Sequence, residues 1–346
     1  MKNILITGNL GYIGPVLTSH LLKKEYKIFG LDIGWFEFCN VKSIISDKPA
    51  LQIYKDIRDI SENDLNNYDA VVHLCAVSND PMGHEFEDAT YSINLEASIN
   101  LAKMCSKMNV SNFVFASSCS VYGAGGEKPK TELDNVNPLT AYAKSKIAFE
   151  EALEEISSNS EMCITALRFS TACGPSPRIR LDLVLNDFVA TALTKDSIEI
   201  LSDGSPLRPL IDVEDMSRAI EWSIERNAVN GGKFLVVNVG RNDNNLTVLQ
   251  MAELVRELIP TVNLSVNTNA APDKRSYAVD FSLYESLCGE FRARWTIKDS
   301  ALRLIELMNP IKDKLNNFRD SHLIRHNVLR DLKEQSILDE NLRIKH

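Results

Sequence analysis

Over the first half of the chain, short apolar runs alternate with longer segments of helical spacing. Ile4, Leu5 and Ile6 read as a buried strand, Gly8, Gly11 and Gly14 follow three apart, and residues 15–24 read as a helix. Further strands are predicted over 28–32, 51–56, 70–76, 113–117 and 164–169, with helices over 88–108 and 141–157. That order predicts an α/β fold, a doubly wound parallel sheet that takes its ligands at the carboxyl ends of the strands. After Gly174 the pattern loosens. A Pro/Arg-rich loop leads into a helix over 181–193, and "LSDGSPLRPLIDVEDM" reads as a turn, a short strand and a helix cap. A buried strand over 234–239 and a helix over 247–258 capped by Thr247 come next, then the irregular basic segment "PDKRSYAVDFS" and two helical stretches after residue 309. The expected division is 1–172 plus 207–240 as the wound sheet, 173–206 plus 241–310 as a smaller mixed α/β unit over its mouth, and 311–346 as a helical C-terminal extension.

A chain of 346 residues buries a large core without staples, and its 44% hydrophobic and 25% charged content is that of an ordinary globular protein. The net charge of −9 and pI near 5.3 argue against a nucleic-acid partner. No apolar run nears the roughly 18 residues of a membrane span, and no basic leader precedes the glycines, so a cytoplasmic protein without membrane contact is expected. Seven cysteines form no CxxC pair, and His322 and His326 have no third ligand nearby, so neither a disulfide framework nor a metal site is expected.

Glycines at a strand-to-helix turn let backbone amides and a helix N-terminus approach a diphosphate, which assigns Gly8, Gly11, Tyr12, Ile13 and Gly14 to a dinucleotide. Asp32 ends the second strand, where a carboxylate accepts both ribose hydroxyls and repels a 2′-phosphate, so NAD is favoured over NADP. Asp56, ending the third strand, is placed to receive the adenine amino group with the Ile57 backbone. Tyr142 and Lys146 in "YAKSK" share one helix face, about 6 Å apart at roughly 1.5 Å per residue. A nearby ammonium and a positive nicotinamide both favour the phenolate, fitting Tyr142 to exchange a proton with a substrate hydroxyl. Upstream, "FVFASSCSVYG" brings Ser118 to a strand end, where its hydroxyl can bond the same substrate oxygen.

Together, "TGNLGYIG", "DIRD", "VVHLCAVSNDP", "INLEASINL", "SSCSVYG", "NPLTAYAKSK", "LRFSTACGP" and "SDGSPLRPLIDVEDM" resemble the extended short-chain dehydrogenase/reductase family, its nucleotide-sugar epimerases and dehydratases, in family order. The resemblance implies a Rossmann domain with a smaller substrate domain, NAD as cofactor and a nucleotide-diphosphate sugar as substrate. It implies Ser118, Tyr142 and Lys146 as the catalytic set and Ala76 and Asn94 along the cofactor. Arg208 would meet the substrate diphosphate, with Ser78, Thr171, Arg178, Arg180 and Arg275 as further substrate contacts. It also suggests a homodimer through the helices over 88–108 and 141–157, whose apolar faces can alternatively pack within one chain. Cys119 and Ser120 stand where the 4,6-dehydratases carry an Asp-Glu pair, which disfavours dehydration, and Cys119 reads as a packing residue. Thr171 and Asp212 replace the asparagine and histidine of many 4-epimerases. The expected activity is a 4-epimerase-like reaction through a transient 4-keto sugar. A nucleotide-sugar dehydrogenase or ketoreductase using the same residues is the alternative, and a non-catalytic NAD-binding module the remaining one.

Overall fold

The computed structural model describes residues 1–41, 47–124, 126–267 and 276–345. Its centre is a seven-stranded sheet built from β1 (Asn3–Thr7), β2 (Lys27–Asp32), β3 (Leu51–Tyr54), β4 (Ala70–His73), β5 (Asn112–Ser118), β7 (Cys163–Phe169) and β11 (Phe234–Val239). The spatial order is β3-β2-β1-β4-β5-β7-β11 and every pairing is parallel, so the connection reverses direction between β1 and β4. That reversal opens the crevice in which such sheets bind ligands.

Side chains of a strand point alternately to the two faces, and here both faces are dry. Leu5, Val71, Phe113 and Phe115 pack under α4 (Ala97–Lys107) and α5 (Ala141–Ser158), against Leu101, Phe149 and Leu153. Ile4, Ile6, Val72 and Val114 pack on the other side under α1 (Gly14–Leu22) and α7 (Val213–Glu225), against Leu17, Leu21 and Ile220. The buried positions of α4 and α5 are thus covered within one chain, and their burial does not require a second copy.

Between β5 and β7, the strand β6 (Gly126–Lys130) leaves the main sheet and pairs with β14 (Tyr277–Val279) across the mouth of the crevice. Part of the expected irregular basic segment is therefore a strand. Three strands form a small sheet beside it: β8 (Thr171–Cys173) lies parallel to β10 (Leu207–Asp212), and β12 (Asn245–Thr247) runs antiparallel to β10. The parallel pair β9 (Ser197–Ile200) and β13 (Asn263–Val266) packs with α6 (Val184–Thr194), α8 (Val248–Leu258) and α10 (Ile297–Met308) around a third core containing Leu185, Ile198, Val255 and Leu304. Thr247 caps α8 as its sequence predicts, accepting from the Gln250 amide.

The helix predicted over 88–108 is present but not α-helical throughout. It begins as α3 (Glu87–Tyr91), after the short α2 (Asp80–Glu85), and widens into a π-type turn over Ser92–Glu96 before α4. β3 and β4 end earlier than predicted, because Asp56 accepts the Arg58 amide in a short 3-10 turn and the chain after His73 becomes cavity-lining loop. Beyond α9 (Ser282–Leu287) and α10, the extension forms a 3-10 stretch over Asn309–Leu315 and α11 (Arg325–Glu334). Among the described residues no helix is long and apolar enough to cross a membrane, and no cluster of potential metal ligands occurs.

Candidate active site

One cavity runs along the carboxyl ends of the sheet at the β1/β4 reversal, with the glycine turn at one side and the first turn of α5 at the other. Gly8 holds φ +77°, a conformation that suits glycine, while its amide donates to Leu31 O at 2.8 Å. A Cβ there would stand 2.6 Å from the Cys75 nitrogen, and one on Gly14 would stand 2.1 Å from the Asn9 carbonyl oxygen. Over Gly11 the closest atom to such a Cβ is Gly8 O at 3.3 Å, and Gly11, Tyr12 and Ile13 line the cavity. α1 starts here without a side-chain cap, so its first amides are available to an anion. The turn therefore fits a diphosphate.

Asp32 lies at the end of β2, where Oδ2 accepts the Leu10 amide at 2.9 Å and Oδ1 the Gly34 amide at 2.8 Å. Burial pushes its carboxyl above the usual range, against the pull of those amides and of Arg178. Two bonded amides fix its orientation and leave lone pairs toward the cavity for ribose hydroxyls. Asp56 and Ile57 line the same wall. Arg58 grips the Asp56 carboxylate with both Nε and Nη2.

At the other end, Ser118 closes β5 beside the Tyr142 phenol, its Oγ accepting the Ser120 amide at 3.1 Å. Thr140 caps α5 by accepting the Ala143 amide at 3.2 Å and donates to Asp80 Oδ1 at 2.8 Å, which fixes the turn carrying Tyr142. One turn on, Lys146 Nζ lies 5.5 Å from the Tyr142 ring centroid and donates to Ala116 O at 2.8 Å. The shared face predicted from the four-residue spacing is present. Burial pushes the phenol up to about 12, although the neighbouring Ser118 hydroxyl opposes it, and burial pulls Lys146 down to about 8. The protein alone thus disfavours the phenolate, and of the two positive charges in the sequence expectation only the ammonium belongs to the chain. Arg180 is the cation that opposes this burial at Tyr142.

Behind the helix, a buried polar chain anchors α5 to the sheet. Glu150 accepts Ser117 Oγ and a bidentate pair from Arg168, whose Nη1 donates to Tyr122 OH at 3.0 Å. Tyr122 in turn donates to Asn238 Oδ1 at 2.7 Å.

Of the other sequence-assigned residues, Ala76, Ser78, Thr171, Arg180 and Arg208 line the cavity. Arg180 is held by Asp182 and donates to Ser78 Oγ at 3.0 Å. Asn94 is not on the wall: it accepts the Val77 amide at 2.8 Å and donates to Val77 O at 3.0 Å, shaping the loop that carries Ala76. Arg178 points toward the loop after β2, where Nε donates to Glu37 O at 3.2 Å. Arg275 lies outside the described residues. Cys119 is fully buried, its thiol pushed up by burial and donating to Arg168 O at 3.0 Å, an inert packing environment.

The sequence reading gave no site role to several wall residues, among them Trp35, Asp80, Ser120 and Arg325. Ser120 Oγ is buried without a hydrogen-bond partner among the described residues, an orphan donor that suits a polyhydroxylated ligand. Asp80 sits in "NDP" just past a strand end and was findable there. Arg325, by contrast, lies far along the chain with no local motif around it.

The profile of the NAD dependent epimerase/dehydratase family matches residues 4–240. The chain is 28% identical over 269 residues to the uncharacterized UDP-glucose epimerase YtcB of Bacillus subtilis, covering 74% of this chain and 81% of that one. It is 25% identical over 341 residues to UDP-glucuronic acid decarboxylase 2 of Arabidopsis thaliana, covering 96% of this chain and 70% of that one. Among solved structures, MoeE5 in complex with UDP-glucuronic acid and NAD superposes with a TM-score of 0.77 at 26% identity, covering 89% of this chain and 99% of its own.

Proposed function

Because the chain belongs to the NAD dependent epimerase/dehydratase family, we propose that it is an NAD-dependent nucleotide-sugar epimerase acting at the C4 hydroxyl of a nucleotide-diphosphate sugar. The observation that carries the reading is convergence: Ser118, Tyr142 and Lys146 share one cavity with the glycine turn, Asp32 and Asp56. The glycine turn and the start of α1 would hold the dinucleotide diphosphate, Asp32 the ribose and Asp56 the adenine. When bound, nicotinamide supplies a reversible hydride acceptor, which a transient 4-keto sugar requires.

The protein's own work is proton handling and orientation. Tyr142 takes the C4 hydroxyl proton and returns it, Ser118 bonds the same oxygen, and Lys146 supplies positive charge one turn away. The phenol, at about 12, is neutral when empty. The charge that lowers it must arrive with the ligands, so proton abstraction is tied to a filled site. Arg180 and Arg208, on the wall, are suited to the substrate diphosphate, and Ser120 Oγ to a sugar hydroxyl.

Tyr142→Phe should abolish turnover and leave NAD affinity within about three-fold of wild type, since the phenol oxygen is one contact among many. Mass spectrometry of products from a nucleotide-sugar panel separates the activities. An unchanged mass is epimerisation, a change of two hydrogens is net redox, and loss of carbon dioxide is decarboxylation. Full activity in Tyr142→Phe would refute the assignment.

A further inference from the structure

The chain after residue 320 folds back against the cofactor end of the cavity. Leu181 N donates to Leu323 O at 3.0 Å, which ties the extension to the loop over 174–182. That loop itself sits on the glycine turn, since Ser176 Oγ donates to Tyr12 O at 2.7 Å, and on the loop after β2, since Val41 N donates to Pro177 O at 3.0 Å. Further along, the extension reaches the predicted adenine turn. Arg58, which grips Asp56, also donates to Asn341 O at 2.7 Å and Leu342 O at 3.1 Å. Arg343 pairs with Asp59 at 3.0 Å, and Leu338 and Leu342 are buried in the core that contains Ile57 and Ile60.

Arg325 is where the extension enters the cavity wall. Its guanidinium is 2% exposed and lies 5.3 Å from the Phe36 ring. It donates to three carbonyls, His322 O at 3.0 Å, Arg178 O at 2.9 Å and Ile179 O at 3.1 Å. Among the described residues no carboxylate pairs with it; Asp182, which faces it, is already engaged by Arg180 and Asn79. Burial pulls Arg325 down to about 10, the mark of a cation whose lost hydration is not balanced by a counter-charge. On the same wall Trp35 Nε1 is buried with no hydrogen-bond partner among the described residues. A guanidinium without a carboxylate and an indole N–H without an acceptor thus line one cavity with Asp32, and the first calls for an anion and the second for an acceptor oxygen, which a phosphate supplies together. Asp32 accounts for the ribose and the adenine is neutral, which leaves the phosphates.

We propose that the C-terminal extension is an integral part of the dinucleotide site, with Arg325 as a positioning residue that, together with Trp35, supplies charge and a donor to the diphosphate in addition to the glycine turn. This rests on the reading of the cavity as a dinucleotide site. The extension would then close the site from outside the segment matched by the family profile, which ends at residue 240.

The test measures NAD and NADP binding by calorimetry on protein stripped of nucleotide, for wild type, Arg325→Gln, Arg325→Lys and Trp35→Phe. Arg325→Gln should weaken NAD about 10- to 100-fold, the range for a lost charged hydrogen bond, and should flatten the salt dependence of binding. Arg325→Lys should recover part of that loss. A folded Arg325→Gln protein that binds NAD within about two-fold of wild type would overturn the proposal, since a purely structural role moves the melting temperature and not the affinity. Loss of NADP affinity alone would overturn it as well, by placing the guanidinium on a 2′-phosphate. If Arg325→Gln does not fold, hydrogen exchange on wild type decides. Amides over 321–325 and 338–343 should gain protection on adding NAD, and unchanged exchange there alongside protection of the glycine turn would refute the idea. Wild type that binds no NAD at all refutes the dinucleotide reading itself, which is a separate result.

Discussion

Glu150→Gln is the sharpest probe of how α5 holds its two functional side chains. Glu150 is 4% exposed and Arg168 7%, and two guanidinium nitrogens meet the carboxylate, the shortest contact being 2.7 Å. Glutamine keeps the shape but removes the charge and turns an NH2 group toward a donor. Arg168 is then a buried cation without its partner, and breaking a buried pair from one side costs about 3–5 kcal/mol. The double variant Glu150→Gln/Arg168→Met removes the stranded charge and should recover most of that loss. What remains, about 1–2 kcal/mol, is the weakened acceptor for Ser117 and the Tyr122 hydroxyl's lost neighbour. Equilibrium urea unfolding of the two single variants and the double, at fixed pH and without nucleotide, gives the coupling energy directly. The same substitution carries a second readout. Glu150 opposes the burial that pulls Lys146 down to about 8. Without the carboxylate the ammonium is less favoured, so the alkaline limb of turnover should move to lower pH. A double variant no more stable than Glu150→Gln alone would refute the account of a charge stranded in the core.

Two further perturbations test the sheet and the turn. His73 lies between Phe115 and Phe149 and bonds Thr7 Oγ1 at 2.7 Å and Ser98 Oγ at 2.8 Å, and burial, with Lys146 nearby, pulls it down to about 3. Between about 6.5 and 3 the unfolded chain therefore binds a proton that the native chain refuses. Stability should fall with falling pH by up to about 1.4 kcal/mol per unit from this group. Urea midpoints from pH 7 to 4 should show that slope, and His73→Asn, although less stable at pH 7, should show a shallower one; equal slopes would refute it. Gly14→Ala drives a Cβ to 2.1 Å from Asn9 O, a backbone atom that cannot swing away. It should cost about 1–3 kcal/mol in thermal unfolding and weaken NAD by displacing the first turn of α1; unchanged NAD affinity would count against the turn as the diphosphate site.

What could be read from the sequence divides by distance along the chain. The wound sheet, the glycine turn, Asp32 and the Tyr142/Lys146 pair were legible because each is a local pattern: an apolar run, a spacing of three, a strand end, one helical turn. Asn94 was placed along the cofactor by family order. The structure shows why the position matters without lining the cavity, since the π-type turn over Ser92–Glu96 aims its amide at Val77 and shapes the loop in front. The dryness around Tyr142 was not legible, because helical spacing reports which residues are neighbours but not how buried they are. Lys146 is spent on Ala116 O and the face of Phe115, and desolvation dominates the phenol. Ser120 reads from the sequence only as a missing dehydratase acid, and it is the cavity that shows its hydroxyl to be without a partner among the described residues. Arg325 left no local trace at all. Its surroundings come from Phe36, Arg178 and Ile179, brought together by loops that no periodicity marks. The site therefore has two layers. One is a local core that any chain of this pattern carries; the other is a wall assembled from remote segments, and there the specificity of this particular chain is to be sought.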